Sequence, residues 1–177
     1  NNFTLSTLTR SNENRNWKIY QDLAQLLIKQ ARQLYLNDND FKIELDGAVY
    51  ALDSTIIELC FNTFKWAHYK LENSAVKIHT QLDLRGNIPS FFLITEAKIH
   101  DVNFLDTLEF EAGAFYIMDR GYFDFARLDR INQQKAFFVI RAKDSLAFER
   151  MYSQEVDQSV GLRCDQIIKL NNFNFIF

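Results

Sequence analysis

From Ala75 onward, apolar and polar residues alternate one for one. Val76, Ile78, Thr80, Leu82 and Leu84 fall on one side, and Lys77, His79, Gln81 and Asp83 on the other. A strict period of two is the mark of a half-buried strand. Arg85-Gly86-Asn87 then turns the chain, and Ile88–Ile99 reads as a returning strand. Pro89 falls near its start, where a missing N–H is tolerated. The pattern predicts a hairpin with one wet face, carrying Lys77 and His79, and any fold for this chain must accommodate it.

The elements around the hairpin follow from local signals. Asn16 is placed to cap a helix over Trp17–Leu36, in which Trp17, Tyr20, Leu23, Leu27, Ala31 and Leu34 recur at three- and four-residue spacing. Asn37–Asp40 breaks the pattern. Phe41–Leu45 and Val49–Asp53 read as short strands around an Asp46-Gly47 turn. Cys60–Tyr69 is ambiguous between a short helix and irregular chain. After the hairpin, Asp101 is placed to cap a short helix holding Val102, Leu105 and Leu108. Ala114–Met118 reads as a buried strand ending on Asp119, Phe123–Gln134 as a helix, and Ala136–Arg141 as another buried strand. Three antiparallel strands followed by strand–helix–strand additions make the layout of a ribonuclease-H-like α/β domain, a mixed sheet flanked by helices. In that layout the first and fourth strands pair, which brings Asp53 and Asp119 together. The expected division is an N-terminal helical segment over 1–40, an incomplete core over 41–144, and the start of a β-rich insertion over 145–177.

The 177 residues suit one domain with a sizeable core, and 47% hydrophobic residues with a single Pro argue against disorder. The apolar runs are too short to span a bilayer, and no signal peptide opens the chain. Cys60 and Cys164 form no CxxC pair, and His68, His79 and His100 lack ligand spacing, so neither a disulfide framework nor zinc is expected. The chain opens on Asn1 and closes on Asn-Phe-Asn-Phe-Ile-Phe, which reads as truncation at both ends or a broken frame. The net charge of −3 is unevenly spread. Residues 37–60 hold six acidic side chains and one basic, and residues 101–119 hold five acidic and none basic. Asp53 and Asp119 belong to these blocks. Acidity at a metal site with basicity elsewhere suits a metal-dependent nuclease; clustering on a solvated surface is the alternative.

Phosphodiester cleavage needs an activated oxygen nucleophile and a stabilised leaving oxygen, which two Mg²⁺ ions supply together. Mg²⁺ is held by carboxylates and water, and rigid strand ends are suitable places for its ligands. Asp53 in Leu-Asp-Ser-Thr and Asp119 in Met-Asp-Arg-Gly-Tyr each follow an apolar strand. Two aspartates alone remain open to a second reading, as caps of the turns that follow them.

Several ordered blocks narrow the choice. Tyr50-Ala-Leu-Asp-Ser-Thr55, Val76-Lys-Ile-His-Thr80 running on to Asp83-Leu-Arg-Gly-Asn-Ile-Pro89, His100-Asp-Val-Asn103, Tyr116-Ile-Met-Asp-Arg-Gly-Tyr122 and Phe137-Phe-Val-Ile-Arg-Ala-Lys143 resemble successive blocks of the DDE transposases of the insertion-sequence-four group. The resemblance runs from about Arg15 to about Leu170. It implies a ribonuclease-H-like fold, Mg²⁺ (or Mn²⁺) and cut-and-paste transposition, with Asp53 and Asp119 as the first two catalytic, metal-binding acids. It also implies double-stranded DNA as partner, a homodimer at full length, and a DNA-associated place in the bacterial cytoplasm. The third acid of the group is a glutamate in a Tyr-Arg-Glu-Lys signature that does not occur by residue 177. Glu155, with Glu149 nearby, has the spacing from Asp119 seen in retroviral-type integrases and would need Ser145–Gln154 to be helical; the insertion-bearing layout, with the glutamate lost, is the better supported reading.

Lys77, His79, Arg120, Arg141 and Lys143 are candidate contacts to DNA phosphates, with a solvated face or a structural ion pair as the other reading. The Trp17–Leu36 helix is expected to pack, although Lys18, Lys29 and Arg32 leave it a basic side. Ser54 lacks a nucleophile-elbow setting, and there is no Walker loop. Two other functions stay in view: a different ribonuclease-H-like nuclease, and an inactive DNA-binding remnant of a transposase.

Overall fold

A computed structural model of the chain describes residues 4–35, 45, 47–59, 68–70 and 73–170. The expected breaker at Asn37–Asp40, most of the Phe41–Leu45 strand, Asp46 and most of Cys60–Tyr69 lie outside the described residues. The chain divides into two compact units, Asn1–Arg141 and Ala142–Phe177.

The first unit opens with α1 (Leu5–Glu13) and α2 (Lys18–Tyr35). Asn16 caps α2 as expected, its Oδ1 accepting from the Lys18 N–H at 3.0 Å. Then follow β1 (Val49–Leu59), the short β2 (His68–Lys70), β3 (Asn73–Asp83) and β4 (Ile88–Glu96). A 3-10 segment over Asp101–Thr107 leads to β5 (Phe115–Met118), α3 (Phe125–Gln133) and β6 (Phe137–Ile140). These strands form one mixed sheet. β3 pairs antiparallel with β1, β2 and β4, while β5 lies parallel to β1 on one side and to β6 on the other. The first long strand therefore pairs with the strand that follows the hairpin, as the element order predicts.

One face of the sheet carries the core. Tyr50, Leu52, Tyr116 and Met118 pack under Phe104, Leu105, Leu108, Leu128 and Ile131, which come from the 3-10 segment, its C-cap and α3. Full burial of a side chain of this size contributes about 1.5–3 kcal/mol. Asp124 caps α3 through the Arg127 N–H at 3.1 Å. Arg127 and Arg130 then tie α3 back to the 3-10 segment, Arg127 to Asp106 at 2.6 Å and Arg130 to the Leu105 carbonyl. At the start of the sheet, a Cβ on Gly47 would meet the Gly113 carbonyl oxygen at 2.1 Å. Only a glycine lets β1 and the entry to β5 approach this closely.

The hairpin is present, but its expected wet face is buried. Tyr50, Leu52 and Ser54 of β1 lie directly across from Asp83, Gln81 and His79 of β3. Directly paired residues share a face, so the polar row of β3 lies on the core side. Lys77, His79, Gln81 and Asp83 are all buried, whereas Ile78, Thr80 and Leu82 are only partly so. Three of the four are matched inside: His79 Nε2 to Thr95 Oγ1 at 3.0 Å, Lys77 Nζ to the Ile99 carbonyl at 2.7 Å, and Asp83 to Arg32 and Arg85 at 3.1 and 3.0 Å, while Gln81 Oε1 has no hydrogen-bond partner among the described residues. Buried polar groups are tolerable when paired in this way.

Three other expectations are corrected. α2 packs on β4, with Gln25 Nε2 donating to the Phe92 carbonyl at 3.1 Å. The helix thus packs as expected, but most of its periodic apolar stripe faces outward, with Tyr20, Leu23, Leu27 and Leu34 exposed and Trp17 and Ala31 half-buried. Asp101 does not cap its helix, since the N-cap is His100 and no side chain bonds there. β6 is not a buried strand, because Phe137 and Val139 are exposed at the sheet margin.

The second unit is a two-stranded antiparallel sheet, β7 (Phe148–Gln154) with β8 (Asp165–Leu170). Gly161, at φ 86, supplies the left-handed residue that the turn between them needs. The stretch read as a possible helix before Glu155 is thus an exposed strand.

Candidate active site

The parallel ladder of β1 and β5 ends at the pair Leu52↔Met118. The next residues in the two strands' direction are Asp53 and Asp119. Neighbouring strands run about 4.8 Å apart, so the ladder delivers the two carboxylates side by side. Alternation puts both on the face opposite the core, because Leu52 and Met118 are buried while Asp53 and Asp119 are exposed. The sequence expectation needs one refinement. Asp53 is not a strand end: β1 continues to Leu59, paired with β3. Asp53 is instead the first residue of β1 beyond its β5 partner, and there the edge opens.

Asp119 turns back on the chain that follows it, its Oδ1 accepting from the Gly121 N–H at 2.8 Å. This is the turn-capping role that the sequence left open, and it coexists with an exposed side chain. A Cβ on Gly121 would lie 2.9 Å from Asp119 Oδ1 and 3.5 Å from Asp101 Oδ2. A third carboxylate thus stands close to the pair, one that sequence reasoning assigned to a helix cap.

Asp101 Oδ1 accepts from Ser54 Oγ at 2.7 Å and from Lys77 Nζ at 2.9 Å, and His79 Nδ1 lies 3.9 Å from it. Burial works to raise the Asp101 carboxyl, and the bonds from Lys77 and Ser54 outweigh it, holding the group below the ordinary carboxylate range. Burial lowers His79, Asp101 opposes that, and Lys77 adds to it, so the ring is held neutral near pH 7. Tyr122 is fully buried beneath the site. Its hydroxyl is pushed far above the ordinary tyrosine value, first by burial and then by the charges of Asp101, Asp53 and Asp119, with Ser54 working the other way. These effects place Tyr122, Ser54 and the three aspartates in one neighbourhood. Among the described residues no three His, Cys, Asp or Glu side chains converge closely enough to hold a metal ion. Asp53 and Asp119 are two exposed carboxylates on neighbouring strands.

Residues 44–174 match the transposase DDE domain. The chain belongs to that family. It is 28% identical over 151 residues to a probable transposase for insertion sequence element IS5377 of Geobacillus stearothermophilus, covering 85% of this chain and 39% of that protein. It is 30% identical over 113 residues to a putative transposase, y4zB, of Sinorhizobium fredii, covering 62% of this chain and 31% of that one. The chain therefore spans well under half the length of these relatives. Among solved structures, a piggyBac transposase in a synaptic complex with hairpin DNA is similar at 8% identity and TM-score 0.35, over 66% of this chain and 26% of that one.

The remaining candidates of this transposase domain divide by exposure. Lys77 and His79 are sealed in the core-side network and offer no surface to a phosphate. Arg120 and Arg141 are exposed. The Arg141 N–H donates to the Met118 carbonyl at 3.4 Å, which sets that residue next to Asp119. Lys143 is exposed in the second unit, and Glu155 follows a strand there. Among the described residues no helix is long and apolar enough to cross a membrane.

Proposed function

We propose that this chain is the central part of the catalytic domain of a metal-dependent DNA transposase of the insertion-sequence-four group, with a ribonuclease-H-like core. The single observation that carries the reading is the β1–β5 ladder, which brings Asp53 and Asp119 out side by side on one exposed face. The strand order, with β3 and β5 flanking β1, is the order that layout requires. Asp53 and Asp119 would jointly hold Mg²⁺ (or Mn²⁺), which when bound activates the attacking oxygen and steadies the leaving one. The chain's own residues do the rest. The ladder fixes the two carboxylates, Gly121 orients Asp119, and Arg120, Arg141 and Lys143 contact DNA phosphates. The partner is double-stranded DNA at element ends and target, bound by a homodimer of the full-length protein. In this reading none of the described glutamates is the third acid, and residues 145–170 belong to a β-rich insertion.

Manganese titration followed by electron spin resonance tests the pair. Asp53→Asn and Asp119→Asn should each weaken binding by about tenfold or more, as loss of a charged ligand does. Unchanged binding in both variants would refute the assignment. Incubated with DNA and Mg²⁺, the chain alone should give no metal-dependent cleavage. Robust cleavage abolished by Glu155→Ala would instead make Glu155 the third acid.

A further inference from the structure

The His100-Asp-Val-Asn103 block has no part in the reading above, and its Asp101 was expected only to cap a helix. The structure gives its carboxylate a different position. Oδ1 is bonded to Ser54 on β1 and to Lys77 on β3, while Oδ2 faces Gly121 in the turn that leaves β5. One side chain thus bonds two strands and stands close to the turn that leaves a third. Lys77 is itself buried and is held from behind by the Ile99 carbonyl, two residues before Asp101.

We propose that Asp101 is a positioning residue, which takes over where the β1–β5 ladder stops and fixes the spacing of Asp53 and Asp119. The proposal rests on the reading of those two as the metal-holding pair. Up to Leu52↔Met118, backbone hydrogen bonds set the distance between β1 and β5. Beyond that pair β1 has no β5 partner. Ser54, next in sequence to Asp53 and pointing to the opposite face, is the first side chain able to replace the ladder. Its hydroxyl is bonded to Asp101. A buried ion pair adds little stability over well-packed apolar side chains, so the value of Lys77–Asp101 lies in where it holds Ser54 and the Gly121 turn. Asn103 Oδ1, accepting from Arg127 at 3.3 Å, and Asp106, bonded to the same arginine, anchor the 3-10 segment to α3. Asp101 is thereby presented from a fixed base.

The test reads position without metal, then with it. Amide hydrogen exchange is compared for the metal-free chain, Asp101→Asn, and the pair Lys77→Met with Asp101→Asn, which leaves no unpaired buried charge. Exchange at residues 53–56 and 119–122 should quicken by about tenfold in both variants, while the α3 amides hold within about twofold. Manganese affinity should fall by about tenfold, the usual effect of losing a group that orients metal ligands. Asp101→Glu, which keeps the charge, should recover part of both. Unchanged exchange at the two segments, or equal quickening everywhere, would overturn the proposal. If wild-type manganese binding ignores Asp53→Asn, the metal assignment fails, and the exchange results still decide whether Asp101 positions the strand.

Discussion

The two ends of the β1–β5 ladder are built on opposite principles. At its start the strands meet through bare backbone. Gly47 lies against the Gly113 carbonyl, and the Phe115 N–H donates to the Ala48 carbonyl at 2.8 Å. At its finish they are related through side chains, with Asp101 linking Ser54, Lys77 and the approach to Gly121. Backbone packing tolerates no change of volume but needs no particular charge. A side-chain network tolerates some change of volume but depends on each donor and acceptor. The first end fixes how closely the two strands approach, and the second, in the proposal above, fixes the spacing of the carboxylates.

Substitutions at the two ends should therefore fail differently. The largest stability loss is expected from Gly47→Ala, because the added carbon would meet a carbonyl oxygen at 2.1 Å and backbone must move. A cost of about 3 kcal/mol or more, read by urea unfolding, is the expected scale for overpacking against backbone; a loss below 1 kcal/mol would mean that the two strands are not locked at this point.

Asp83→Asn comes next. It leaves Arg32 and Arg85, each about a third exposed, without their carboxylate, for a loss of about 2 kcal/mol near neutral pH. Burial raises the Asp83 carboxyl, while the bonds from Arg85 and Arg32 lower it more, so the folded value lies below the ordinary 3.8. Its stabilisation is then full above that value and lost as pH falls through the lower folded one. The stability gap between wild type and Asp83→Asn should close on acidification below 3.8; a gap that widens there would reverse the sign of the interaction.

The smallest stability effect is expected at Gly121→Ala. The added carbon would lie 2.9 Å from Asp119 Oδ1, a side-chain atom that can swing away. Unfolding should shift by less than about 1 kcal/mol, while manganese binding weakens as the Asp119 carboxylate leaves its place. Equal losses in stability and binding would erase the distinction between the two ends.

Much of this was legible before the structure. Alternation from Val76 gave the hairpin, the Asn16 signal gave the start of α2, and the order of elements gave the β1–β5 pairing. What alternation cannot say is which face meets the core. Lys77, His79 and Asp83 read as solvated because charge favours water, yet partners from Asp101, Thr95, Arg32 and Arg85 made burial tolerable. Arg85 is only two residues from Asp83, but the other three partners lie 16 to 51 residues away along the chain, beyond any local pattern. α2 misled for a related reason, since it is apolar on more than one side and the side meeting β4 includes Gln25. Asp101 looked like a cap because an aspartate before an apolar turn usually is one. The clue to its other role was a lysine and a histidine on a single strand face whose nearest acid in that row, Asp83, is already held by Arg32 and Arg85.

On the proposed metal assignment, the placement of Asp53 within β1, rather than on a loop, links chemistry to the fidelity of folding. A slip of one residue in strand pairing exchanges the two faces. It would carry Asp53 into the apolar interior and bring Ser54 out in its place. Cation affinity would then serve as a gauge of correct strand register, separating chains that have merely collapsed from those that have found the native alignment.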